Sequence, residues 1–278
     1  MSRTGSVVGW DGSPPADEAL EWAAQRENHR GGQLRIVRVL DPDGAGDPGD
    51  RVADARAALE HAVATLAAQR PALETAAEIV LGDPVAELSR AAGHDRLLVL
   101  GASQIGQVPL PGARRIPVAL AARPEGVTAV VPAGRPEARA GVIAVISGRN
   151  RSRETVEFAV RAATEQGEPL TVVRLRDPHD VDVDPVPFEI EIQRLRSAAP
   201  GLDVRLAPGW VGDRYGLLTR SDEASLLVLE GCRRAAAPPR TSCERWLAGH
   251  ARAPFVVVAE RLPQSSQDAA DRKLARSS

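Results

Sequence analysis

The chain has 278 residues, of which 43% are hydrophobic, enough for two domains of roughly 100–150 residues that each bury a core. Thirty-five Lys plus Arg stand against 37 Asp plus Glu, a formal net charge of -2, which excludes the basic footprint of a nucleic-acid-binding protein. No apolar run approaches the roughly 18 residues that a membrane helix needs. The opening segment, MSRTGSVVGWDGS, lacks the apolar core of a secretory signal, so a cytoplasmic location and no membrane partner are expected. Cys232 and Cys243 fit a reducing compartment, and their spacing is not that of a metal-ligand pair.

Residues 6–10 form a short apolar run that stops at Asp11-Gly12-Ser13-Pro14, as a strand does when it turns into a helix. The helix runs over 17–30, with Ala19, Leu20, Trp22 and Ala23 on its apolar face, and Gly31-Gly32 ends it. A second strand covers 34–40, and the Gly/Pro/Asp-rich segment 41–50 is a loop. The second helix spans 51–69, with Leu59, Val63 and Leu66 on one side. The third strand is 76–81, and Pro84 suits the first turn of the helix that follows. Leu97-Leu98-Val99-Leu100 is apolar throughout, as in a strand buried on both faces of a parallel sheet. A short helix near 115–122 and a strand at 127–131 complete this unit.

The same order then recurs. Val37-Arg38-Val39-Leu40-Asp41-Pro42 matches Val173-Arg174-Leu175-Arg176-Asp177-Pro178 at a shift of 136, which also carries Gly5 onto Gly141, Glu21 onto Glu157 and Trp22 onto Phe158. Leu97-Leu98-Val99-Leu100 matches Leu226-Leu227-Val228-Leu229 at a shift of 129, so the second copy is seven residues shorter by that point. Its strands are expected at 142–146, 170–175, 204–207, 226–229 and 255–259, and its helices near 152–166, 187–198, 213–221 and 242–250. Strands alternating with helices imply two parallel-sheet α/β units, 1–132 and 141–262. A polar linker at 133–140 joins them, and a disordered tail occupies 263–278. The second unit is the more degenerate.

Val7-Val8-Gly9-Trp10-Asp11-Gly12-Ser13, the helix Glu18-Ala19-Leu20-Glu21-Trp22-Ala23, Gly82-Asp83-Pro84 and Leu97-Leu98-Val99-Leu100-Gly101 occur in one order. Together they resemble the universal stress protein family, in its tandem form. The resemblance covers about 5–132 and 141–260. It implies two five-stranded α/β sandwiches of the adenine nucleotide α-hydrolase type, packed through their fifth strands as an intramolecular pseudo-dimer, with a further homodimer as an alternative.

Some members of that family bind ATP. By resemblance, Asp11 is the adenosine-contacting acid, at the carboxyl end of a strand where open α/β sheets bind ligands. Val39 is the backbone contact in strand two, and Gly101, Gly106 and Gly112 are what remains of the phosphate loop, with Arg114 and its neighbour Arg115 as candidate charge. The family's loop reads Gly, two residues, Gly, nine residues, then Gly-Ser or Gly-Thr. Here Gln104 takes the second glycine's place, Gly112-Ala113 comes two residues early, and Pro109 and Pro111 each remove an N–H donor. In the second copy Asp11 falls on Ser147, and of the loop only its first glycine, Gly231, and the displaced pair Thr241-Ser242 are left.

Asp177, Asp180, Asp182, Asp184 and His179 lack the turn glycine and closing glutamate of a calcium loop, so they read as a solvated connection and no metal is expected. Ser13 has no identifiable base, so no catalytic group is assigned. Two readings stand. One is a non-catalytic stress-response regulator or scaffold with a degraded nucleotide site, no bound cofactor and an unknown protein partner. The other is an ATP- or AMP-binding sensor that acts through the first copy alone.

Overall fold

A computed structural model describes residues 5–103, 116–122, 125–134, 141–147, 153–175, 186–208, 222–231 and 250–259. The first half runs β1 (Ser6–Gly9), α1 (Pro14–Arg30), β2 (Gln33–Leu40), α2 (Pro48–Gln69), β3 (Glu74–Leu81), α3 (Pro84–Ala92), β4 (Leu97–Ala102), α4 (Ile116–Ala122) and β5 (Val127–Pro132). The second runs β6 (Val142–Ser147), α5 (Arg153–Gln166), β7 (Leu170–Leu175), α6 (Val186–Ala198), β8 (Val204–Pro208), β9 (Leu226–Gly231) and β10 (Phe255–Ala259). The helices expected at 213–221 and 242–250 lie outside the described residues, save residue 250. So do nearly all of the linker and all of the tail.

Two helices begin earlier than their periodicity suggests. α1 starts at Pro14, with Ser13 as N-cap, because proline has the helical φ preset and loses no hydrogen bond in a first turn. α2 starts at Pro48 for the same reason, and Asp47 caps it by accepting from the N–H groups of Gly49 and Asp50 at 2.9 and 3.1 Å. The loop expected over 41–50 is thus the shorter for it. At the far end, Gly31 closes α1 in the left-handed conformation, φ 62°.

All ten strands join one sheet in the order β3-β2-β1-β4-β5-β10-β9-β6-β7-β8. Each half repeats the same internal order, and every neighbouring pair is parallel except one. The exception is the seam, where β10 runs antiparallel to β5 and sets Phe255 opposite Val130 and Val257 opposite Thr128. An antiparallel contact between the two fifth strands is what a twofold relation of the halves produces. Every residue of both strands is buried, which is why, Thr128 apart, they are apolar rather than alternating. Pairing them also removes two edges that would otherwise recruit other chains.

The cores differ on the two faces. On the face of α1 and α5 one core runs through both halves, joining Val8, Leu34 and Trp22 to Phe158, Leu170 and Val228. On the opposite face the core is in two parts, Val7, Leu88 and Leu100 under α3, and Ile143, Leu229 and Phe255 of the second half joined across the seam by Val130 and Ala121.

Candidate functional site

In the order β3-β2-β1-β4-β5, the chain leaves β1 toward β2 on one side and returns from β3 to β4 on the other. The crevice of the first half therefore opens at the carboxyl ends of β1 and β4. Gly9 is in register with Val37 of β2 and Leu100 of β4. Asp11, Val39 and Gly101 thus stand within two residues of one level on three adjacent strands. Gly106, Gly112, Arg114 and Arg115 lie outside the described residues.

Asp11 is exposed, and its Oδ1 accepts the N–H of Ser13 at 2.9 Å, closing the turn that leads into α1. Gly12 between them has φ 83°, a left-handed conformation that favours glycine. Other acids at this end of the sheet do similar work. Asp41 accepts from Asp43 N–H at 3.0 Å, and Asp83 caps α3 through Ala86 N–H at 3.0 Å. Arg51 donates to the carbonyls of Gly44 and Asp41, tying the β2–α2 loop to its own helix.

Three neighbours of this turn are not apparent from motif matching. Trp10 is buried, donates its indole N–H to Asp17 at 2.7 Å, and carries the Arg38 guanidinium 5.5 Å from its ring centroid. A Cβ on Gly12 would lie 3.7 Å from Trp10 Cη2 and 3.8 Å from Arg38 Nη1, so ring and guanidinium fill the space beside the turn. The signal in the sequence is Trp10 itself, where the family signature has valine.

Gly101 has a packing role. A Cβ there would come within 2.0 Å of the Pro15 carbonyl oxygen and 2.6 Å of Ala16 N, because the first turn of α1 lies directly on the end of β4. Val39 is half-buried against the α3 side of the sheet, with Val80 and Leu88 in the same core.

The second half departs further than its surviving glycine suggests. Ser6 is in register with Leu97, and its counterpart Val142 with Leu226. Gly101 therefore corresponds to Glu230, while Gly231 corresponds to Ala102. The glycine that survives in the second loop is one place out of register, on the opposite face of the strand.

Among the described residues no group of His, Cys, Asp and Glu could hold a metal ion, and no helix is long and apolar enough to cross a membrane. The acidic stretch 177–184 and both cysteines lie outside the described residues.

A model of the universal stress protein family matches residues 7–108. A universal stress protein of Mycobacterium tuberculosis is 27% identical over 247 residues, covering 77% of this chain and 76% of the relative. Another from the same species is 38% identical over 105 residues, covering 34% of this chain and 36% of its own length. In the same fold, the crystal structure of a universal stress protein from Archaeoglobus fulgidus superposes with a TM-score of 0.72 at 12% identity, covering 93% of this chain and 99% of that one. Residues 7–108 thus carry the match to the universal stress protein family, and the chain as a whole is similar to universal stress proteins in sequence and shares the fold of one.

Proposed function

We propose that this protein is a non-catalytic regulator or scaffold of the stress response, whose family-type nucleotide site has been converted to structural use. The observation that carries the reading is the engagement of the carboxylates at the crevice end of the first half. Asp11, Asp41, Asp47 and Asp83 each accept backbone N–H groups and build a turn or a helix start. Trp10 and Arg38 fill the space beside the Asp11 turn, and Gly101 serves the docking of α1. The sequence adds Pro109 and Pro111, which remove two N–H donors from the phosphate loop, and Gln104, whose Cβ stands where the loop's second glycine would let the backbone close on phosphate. A hydrogen bond to the remaining oxygen of Asp11 contributes about 1.5–3 kcal/mol, against the roughly 8 kcal/mol of a micromolar complex.

The competing reading, an ATP or AMP sensor working through the first half, draws on one fact. Asp11 stays exposed at the switch-point crevice, with a carboxylate that can still accept a bond. Equilibrium dialysis of the purified chain against labelled ATP at about 10 µM separates the two. Retention well below one equivalent is expected. One equivalent per chain, abolished by Asp11→Ala, would replace the scaffold reading with the sensor.

A further inference from the structure

A cleft of about 480 Å³ opens between the halves, beside the amino ends of β7, β9 and β10. Trp22, Arg26 and His29 of α1 line one side, and Glu165 at the end of α5, Glu168 just after it and Arg252 before β10 line the other. That volume lies within the range of small-molecule sites, about 300–1,000 Å³.

Arg26 is the unusual group. Its side chain is 8% exposed, and its Nε is buried with no hydrogen-bond partner. The guanidinium carbon sits between two aromatic rings, 5.9 Å from the centroid of Trp22 and 5.2 Å from that of Phe158. Its carboxylate neighbours stand off, Glu165 at 3.6 Å and Glu27 at 3.9 Å, both beyond hydrogen-bond length. Each has another partner, for Glu165 also faces Arg30 at 3.4 Å and Glu27 accepts the Ser6 hydroxyl at 2.6 Å. Glu168 is taken up as well, by Gly141 N–H at 3.0 Å and by the Ser225 hydroxyl. The lining is left with a buried positive charge and one N–H, Arg26 Nε, in want of an acceptor.

The cleft belongs to the tandem arrangement. Trp22 and Phe158 are repeat counterparts, so a guanidinium between them lies near the twofold relation of the halves. The counterpart of Arg26 is Ala162 and that of His29 is Glu165. Two identical halves would set two arginines against each other there. This chain keeps one.

We propose that the cleft binds a small organic oxyanion, a carboxylate or phosphate ester with a compact apolar body, anchored by Arg26. A guanidinium fork matches either group in two parallel hydrogen bonds, and the bound anion supplies the acceptor that Nε lacks. Arg252, on the exposed rim 3.8 Å from Asp222, adds charge at the entrance.

The test is a calorimetric titration of the full chain with benzoate, phenyl phosphate and, as a cation of the same shape, benzamidine. The side-chain Nε–H resonances of arginine are recorded in parallel. Saturable binding of benzoate or phenyl phosphate is expected, with a shift of the one Nε–H signal that is missing from Arg26→Met. Whichever anion binds more tightly identifies the head group. Arg26→Met lowers affinity by at least about tenfold. Glu165→Gln raises it, because a competing carboxylate is gone, and Arg252→Ala lowers it a few-fold without touching the core. Should Arg26→Met fail to fold, the opposite signs expected for Glu165→Gln and Arg252→Ala still decide. Binding of benzamidine in preference, no saturation by any probe up to about 10 mM, or weaker anion binding in Glu165→Gln would each overturn the proposal.

Discussion

Arg26 illustrates how one side chain can stand against the stability of the fold that holds it. Burial, reinforced by Arg30, pushes its guanidinium down to about 10, while Glu165 and Glu27 pull the other way. The group is therefore charged in both the folded and the unfolded chain at neutral pH, and the full cost of burying it is felt there. Stability would rise only above about pH 10, where the folded chain sheds a proton that the unfolded chain keeps. We expect Arg26→Met, which keeps the stem and drops the charge, to raise the stability of the ligand-free chain by about 1–3 kcal/mol. Urea denaturation should show the gain to be flat between about pH 6 and 9, since the charge does not change in that range. A loss of stability would mean that the loose ion pairs with Glu165 and Glu27 outweigh desolvation.

At the scale of elements, the contact between α1 and β4 depends on an absent side chain. Gly101 lets the Pro15 carbonyl approach to where a Cβ would be. Gly101→Val is expected to force α1 off the end of β4 and to cost about 2–3 kcal/mol, read as a lower denaturation midpoint with an unchanged slope. A neutral outcome would show that the helix start can shift freely. The same glycine shows what a sequence can and cannot convey. Apolar runs such as Leu97-Leu98-Val99-Leu100 and the repeat at 136 residues reveal strands, helices and their duplication, because periodicity and burial are properties of the chain itself. Asp11 is legible for the same reason, as an acid ending a strand. That Gly101 answers to a helix backbone, or that Trp10 and Arg38 fill the space beside Gly12, depends on which surfaces meet, and no local pattern encodes it. The offset of Gly231 is already contained in the 129-residue shift, which sets Gly101 on Glu230, and the strand pairing agrees with it. The cleft around Arg26 draws on residues more than 200 positions apart, from Trp22 to Pro254, each unremarkable in its own segment.

For the whole molecule, the seam ties the halves into one cooperative unit. β5 and β10 are buried along their length, paired to each other and flanked by β4 and β9. The α1–α5 face carries one core through both halves. Backbone amides of Ala129 and Val257 are expected to exchange with solvent only through global unfolding, and so to be among the slowest in the chain. By contrast, amides of β3 and β8 at the two outer edges should exchange sooner. Faster exchange at the seam than within either half would mean that the halves separate before they unfold. The seam has a further consequence, in time rather than in space. β5 is finished at Pro132, but its partner strand begins only at Phe255, roughly 120 residues later. At about 5–20 residues per second a ribosome takes on the order of 6–25 s to cover that distance. Throughout that interval the nascent first half carries an uncovered edge that is apolar but for Thr128, so its solubility during synthesis depends on whatever occupies β5 until its own last strand arrives.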